Sequence, residues 1–229
     1  MMLAHNKGQY FARYTLLEAN SPTTLQLKPF LAFRHIHSLS KSNLNADRSA
    51  IEIQGGRAFK MYEGFPELNL QLSVKADYVS NPDWYYNIEY KEERRRAYES
   101  AEDLFVPGYF EFPLKKGQSV VFSASTNAES PAGLNTKFEN YLEARSARDS
   151  FESCLKIASK QFLISDGESM SIYAGYPWLD KNSRETLLAL PGITLSGLDD
   201  KKRFRKVLED FVKREGFIPD SGGSKPDVP

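Results

Sequence analysis

The residues Ser119-Val120-Val121-Phe122-Ser123-Ala124-Ser125, then Thr136-Lys137-Phe138-Glu139, mark the point where the chain changes its period. The first run is short, β-branched and aromatic, and is entered through Lys115-Lys116-Gly117, so it predicts a strand. The second has the capping-box pattern, in which a Thr hydroxyl and a Glu carboxylate each take an orphan backbone N–H. From there Phe138, Tyr141, Leu142, Phe151, Leu155, Ala158 and Phe162 recur at helical spacing, which predicts one long helix over 136–162.

Upstream, the signals are those of strands. Leu68, Leu70, Leu72 and Val74 alternate without a break. Ala50–Ile53 and Ala58–Tyr62 flank Gly55-Gly56, a hairpin signal. Leu25, Leu27, Pro29, Leu31 and Phe33 share one face, with Gln26, Lys28 and Arg34 on the other. Pro29 has no N–H for a ladder and predicts an edge or a bulge. Tyr10–Leu17 is a further short strand.

Downstream, Arg184–Leu190 predicts a helix that continues past Pro191. Asp199–Glu215 predicts another, with Phe204, Val207, Leu208, Phe211 and Val212 inward and Gly216 as its C-terminal stop. A β-rich part followed by an α-rich part is α+β. The expected organisation is an antiparallel, sandwich-like part over 1–130, a helical part over 131–219 and a flexible tail over 220–229.

Composition narrows the function. The 229 residues hold 30 Lys+Arg against 30 Asp+Glu. A sequence-independent nucleic-acid binder or a polybasic membrane-surface protein needs a cationic excess, and none exists. One cysteine, Cys154, forbids an intrachain disulfide and a cysteine-rich zinc site; its mid-helix place predicts a small core residue. No apolar run reaches the roughly 20 residues of a spanning helix. The expectation is a soluble, cytoplasmic protein.

Chemistry-bearing residues are few. His35 and His37 lie two apart with no third ligand nearby, so they read as structural or surface histidines. Aromatics make up 13% of the chain. Nine of them fall in 84–112: Trp84, Tyr85, Tyr86, Tyr90, Tyr98, Phe105, Tyr109, Phe110 and Phe112. Between Lys91 and Asp103 stand four basic and five acidic residues. This is either a solvated amphipathic helix between two strands or a surface whose rings, carboxylates and guanidinium groups take a polyol. Further on, Ala174-Gly175-Tyr176-Pro177-Trp178 leads to Arg184-Glu185 at a helix start. Glycoside hydrolysis needs two carboxyl groups across the scissile bond, and Glu185 is a candidate for one; the alternative is a carboxylate placed there by the helix dipole.

Taken in order, several stretches resemble bacterial and archaeal-type glycogen debranching enzymes, the amylo-α-1,6-glucosidase class. They are Arg13-Tyr14-Thr15-Leu16, Leu27–Arg34 with His37-Ser38-Leu39-Ser40-Lys41, Trp84–Tyr90, Glu102–Phe110, and Ala174–Trp178 with Ala189-Leu190-Pro191-Gly192. The resemblance implies a β-sandwich domain packed on an α/α-barrel whose first helices are present here. It implies removal of α-1,6-linked glucose stubs from glycogen by acid–base chemistry without metal or cofactor. It makes Glu185 the candidate acid and puts Tyr176, Trp178 and Arg184, with Trp84, Tyr85, Glu89, Glu102 and Asp103, on the α-glucan.

The chain also departs from that pattern. Where the family has Asp-Trp-Gly-Arg-Asp, Lys181-Asn182-Ser183-Arg184-Glu185 stands here. A methylene moves the carboxyl, and a misplacement of about 1 Å costs on the order of a hundredfold in rate. The resemblance further implies truncation at both ends, with the second catalytic carboxylate and most of the barrel missing. The expectation is therefore a debranching-type chain that is catalytically incomplete. The alternatives are a non-catalytic α-glucan-binding or partner module and an inactive gene remnant. An unpaired strand edge would favour a homodimer or a partner chain.

Overall fold

The computed structural model describes residues 1–4, 8–176, 179–197 and 200–215. The strands are β1 (Met2–Ala4), β2 (Gln9–Thr15), β3 (Thr23–Leu27), β4 (Ile51–Ile53), β5 (Gly56–Phe59), β6 (Leu68–Leu72), β7 (Asp77–Glu89), β8 (Ala101–Leu114), β9 (Ser119–Ser125), β10 (Leu163–Asp166), β11 (Ser169–Gly175) and β12 (Leu179–Lys181). The helices are α1 (Lys91–Arg95), α2 (Leu134–Glu143), α3 (Phe151–Phe162), α4 (Ser183–Leu190) and α5 (Lys201–Glu215). Contacts divide the chain into two units between Arg145 and Ser146.

The first unit is β-rich and antiparallel throughout its described pairings. One sheet has the order β1-β2-β9-β6-β5-β4, the other β3-β8-β7. Leu70, Leu72 and Val120 from the first share a core with Phe105, Phe110, Phe112 and Trp84 from the second. The expected inward face of 25–31 is present: Leu25 and Leu27 pack on this core and Leu31 is buried. The β3 ladder ends at Leu27 and resumes once, where the Leu31 N–H donates to Phe105 O at 2.8 Å. Pro29, with no N–H, stands in the gap.

The alternating apolar positions of Leu68–Val74 do not leave the intervening polar ones in water. Asn69 and Gln71 are buried as well. Gln71 donates to Gln54 O (2.8 Å) and Glu129 O (2.6 Å) and accepts from the Glu129 N–H (2.7 Å). Over the same sheet, α2 brings Leu134 and Phe138 against Phe11 and Val121. A central strand covered on both sides buries its polar positions once they are hydrogen-bonded.

The expected hairpin is β4–β5, with Gly55 at φ +70° in its turn. Gly56 matters for a different reason: a Cβ there would sit 1.8 Å from the Leu70 carbonyl oxygen of β6. Gly56→Ala is expected to cost about 1–3 kcal/mol as an overpacking change. A urea melt of the variant checks this, and an unchanged midpoint would refute the close approach.

The long helix expected over 136–162 is two helices. α2 begins at Leu134 with no side-chain cap, so Thr136 lies inside it. The interruption after Ala144 is polar, and Ser150 starts α3 with a reciprocal Ser150–Ser153 capping box. No residue of α3 is buried, and Cys154 is exposed rather than in a core.

The second unit holds strands that the sequence reading did not anticipate. β10, β11 and β12 form an antiparallel sheet, and Leu163 and Ile172 pack with Leu190 and Val207 from α4 and α5. As expected, helical structure continues past Pro191, as a wider π-type turn over Pro191–Gly197. Asp200 accepts from the Arg203 N–H at 3.0 Å at the start of α5. Asp199, where this helix was expected to begin, the expected Gly216 stop and the 220–229 tail lie outside the described residues. No helix among the described residues is long and apolar enough to cross a membrane.

Candidate functional site

In the second unit, β12 leads directly into Asn182. Its side-chain oxygen accepts from the backbone N–H of Arg184 (3.0 Å) and Glu185 (3.4 Å), which starts α4. Arg184 and Glu185 therefore sit on the first helical turn. An Arg184 guanidinium nitrogen lies 3.5 Å from Glu185 Oε1, with the Arg184 side chain largely in solvent. Glu185 Oε2 is shielded from solvent and has no hydrogen-bond partner among the described residues.

Tyr176, after β11, rests on Phe162 (ring centroids 5.4 Å) and Tyr173 (5.5 Å), and its hydroxyl donates to Gln161 O at 2.5 Å. Burial, then Tyr173, pushes the Tyr176 phenol pKa up. Trp178 lies outside the described residues. Lys181 lines a groove of about 320 Å³ with Ser169, Ser171, Asp210 and Lys213. Asp210 accepts from the Met170 N–H and from Lys206 Nζ, both at 2.7 Å, which hold its carboxyl below the usual range.

In the first unit the candidates separate into two groups. Glu102 and Asp103, at the start of β8, are buried side by side. Arg34 grips Glu102 with both ends of its fork, at 2.7 and 3.0 Å. Tyr90 OH donates to the same carboxylate, as do the Ser40 N–H (3.2 Å) and hydroxyl (3.1 Å). Burial pushes the Glu102 carboxyl up, but the bonds from Arg34, Tyr90 and Ser40 outweigh it and hold the pKa at about 2. Asp103 accepts from the Ser42 (3.0 Å) and Asn87 (2.9 Å) N–H groups, which lower its pKa. These bonds pin the irregular 34–43 segment to the sheet.

The remaining candidates lie apart from that cluster. Trp84 is buried against Phe105, ring centroids 5.5 Å apart. Tyr85 faces outward, and Glu89 pairs at the surface with Arg94 at 2.6 Å. Sequence reading did not single out Arg34, Ser40 or Tyr90. The available signal was their presence in the stretches that carry the family resemblance. His35 and His37 stack loosely at 5.3 Å. Among the described residues no three His, Cys, Asp or Glu are grouped to hold a metal ion.

The fold defines an α+β chain: an antiparallel β-rich unit, then a unit of three short strands and helices in which an Arg-Glu pair opens α4. Comparison with known families makes it specific. Residues 1–121 match the model described as glycogen debranching enzyme N terminal, and residues 157–227 match that described as amylo-alpha-1,6-glucosidase. The chain belongs to the glycogen debranching enzyme family. No curated protein and no solved structure matches it.

Proposed function

We propose that the chain recognises α-glucan as its family's substrate, and that the 229-residue polypeptide alone does not hydrolyse α-1,6-linked glucose stubs. The observation that carries the first half is the ordered pair of family matches, one on each unit. The Glu185 geometry supports the second. Its carboxyl is one methylene longer than the family's Asp, and its Oε1 faces Arg184 at 3.5 Å. Lys181 replaces a second acidic residue of the same motif. Two carboxyl groups must flank a scissile glycosidic bond, and a displaced acid loses the alignment that general acid catalysis requires.

The test is glucose release from a branch-point limit dextrin by pure protein. The expected result is release no faster than the protein-free blank, with Glu185→Gln indistinguishable from the wild type. Release that Glu185→Gln abolishes would overturn the proposal.

A further inference from the structure

We infer that the outer face of the β3-β8-β7 sheet is an accessory α-glucan-binding surface, built from the first unit alone. The inference rests on the α-glucan reading above. Alternation along 24–30 turns Thr24, Gln26, Lys28 and Phe30 away from the core, and all four are exposed. From the opposite edge strand, β7, comes Tyr85. The Phe30 and Tyr85 rings meet edge to face with centroids 4.9 Å apart, yet stay 44% and 37% exposed. Lys28 Nζ donates to Tyr85 OH at 2.9 Å and lies 5.4 Å from the ring centroid. Beneath Tyr85, its register partner Leu104 is buried. Farther along the same face, Gln26 donates to Glu111 at 3.0 Å.

This pattern matches the two chemistries of a pyranose. The C–H groups on the sugar's face carry slight positive charge and settle on the electron-rich face of an aromatic ring. Its rim of hydroxyls needs both donors and acceptors; Lys28 beside the rings and Gln26 and Glu111 farther along the face supply both kinds. Asp77, opposite Glu111, and Asp83, two residues before Tyr85, add exposed carboxylates to this face, so acceptors outnumber the one ammonium; that repels a polyanion and leaves acceptors for the hydroxyls of a neutral polyol. A flat face holds one sugar weakly, but a branched polymer presents many, and effective concentration multiplies a weak contact. The bare alternative is a cross-strand packing cluster, which would contribute to stability and not to binding.

The experiment is native affinity electrophoresis of the full chain through gels containing glycogen, with a β-linked glucan as control. Glycogen is expected to retard the wild type. The Phe30→Ala/Tyr85→Ala pair is expected to lose at least tenfold in apparent affinity, while Tyr85→Phe, which keeps the ring, stays within a few-fold. Independently of folding in the variants, glycogen is expected to protect Lys28 of the wild type from acylation more than the exposed Lys75. Retention that survives the double substitution, or equal protection of the two lysines, overturns the surface alone; no retention of the wild type overturns the α-glucan reading together with it. Glucose release that depends on Glu185 overturns only the claim that the chain does not hydrolyse its glucan and leaves this surface standing.

Discussion

Arg34→Met is expected to destabilise the protein by about 3–5 kcal/mol, because it strands a buried carboxylate. Glu102 is 0% exposed, and Arg34 supplies the only cation bonded to it among the described residues. The serine and tyrosine that remain donate hydrogen bonds but no compensating charge. Removing both members, as Arg34→Met with Glu102→Gln, is expected to cost less than Arg34→Met alone, since no uncompensated charge is then left behind. Equal losses for the single and double variants would refute this account.

The same carboxylate sets an acid limit. Its pKa of about 2 in the folded chain lies below the ordinary value of 4.5. The folded state therefore holds fewer protons than the unfolded one in that interval, so the stabilisation is fully present above about pH 4.5 and disappears as pH falls towards 2. It amounts to about 3 kcal/mol. Urea midpoints measured from pH 6 down to pH 3 are expected to fall in the wild type and to fall less steeply in Glu102→Gln. Parallel slopes would assign the acid sensitivity elsewhere.

Phe105→Ala is the other large effect, expected at about 3–5 kcal/mol. Phe105 is 1% exposed and joins the core shared by the two sheets of the first unit, with Trp84 against its ring. Its carbonyl also accepts the Leu31 N–H at 2.8 Å, so the segment that follows Pro29 is anchored beside the cavity the substitution would create. Phe105→Leu keeps part of the volume and is expected to lose clearly less. The difference between the two midpoints measures the void, and its absence would mean that the core collapses without cost.

The family match was legible because it depends on long ordered stretches, including Leu27–Arg34 and Glu102–Phe110. The strand period at 25–31, the strand at 119–125 and the Gly55-Gly56 hairpin were legible because alternation, residue type and turn chemistry are local. The site was less so. Trp84, Tyr85, Glu89, Glu102 and Asp103 are close in sequence, yet they occupy a core, an outer sheet face, a surface ion pair and a buried network. A strand turns successive residues to opposite faces, and the β7–β8 ladder has register shifts between Ser80 and Asp83 and again between Tyr85 and Ile88. β10–β12 are hard to see because the Gly-aromatic-Pro signal at 175–177 reads as a loop leading to the helix at Arg184, and not as the end of a strand.

Sequence alone was sufficient for the family, the β-rich character of the first unit and the inward face of β3, since each depends on residue type and spacing. Tertiary structure decided which polar residues go inside. Gln71 and Glu102 look like surface residues in the alternation and charge patterns, and become internal only because distant backbone and Arg34 arrive to satisfy them. It also decided that Phe30 and Tyr85, far apart in the chain, form one exposed pair. Burial and juxtaposition are properties of chain crossings, and the energy that fixes them comes from partners that no local pattern identifies.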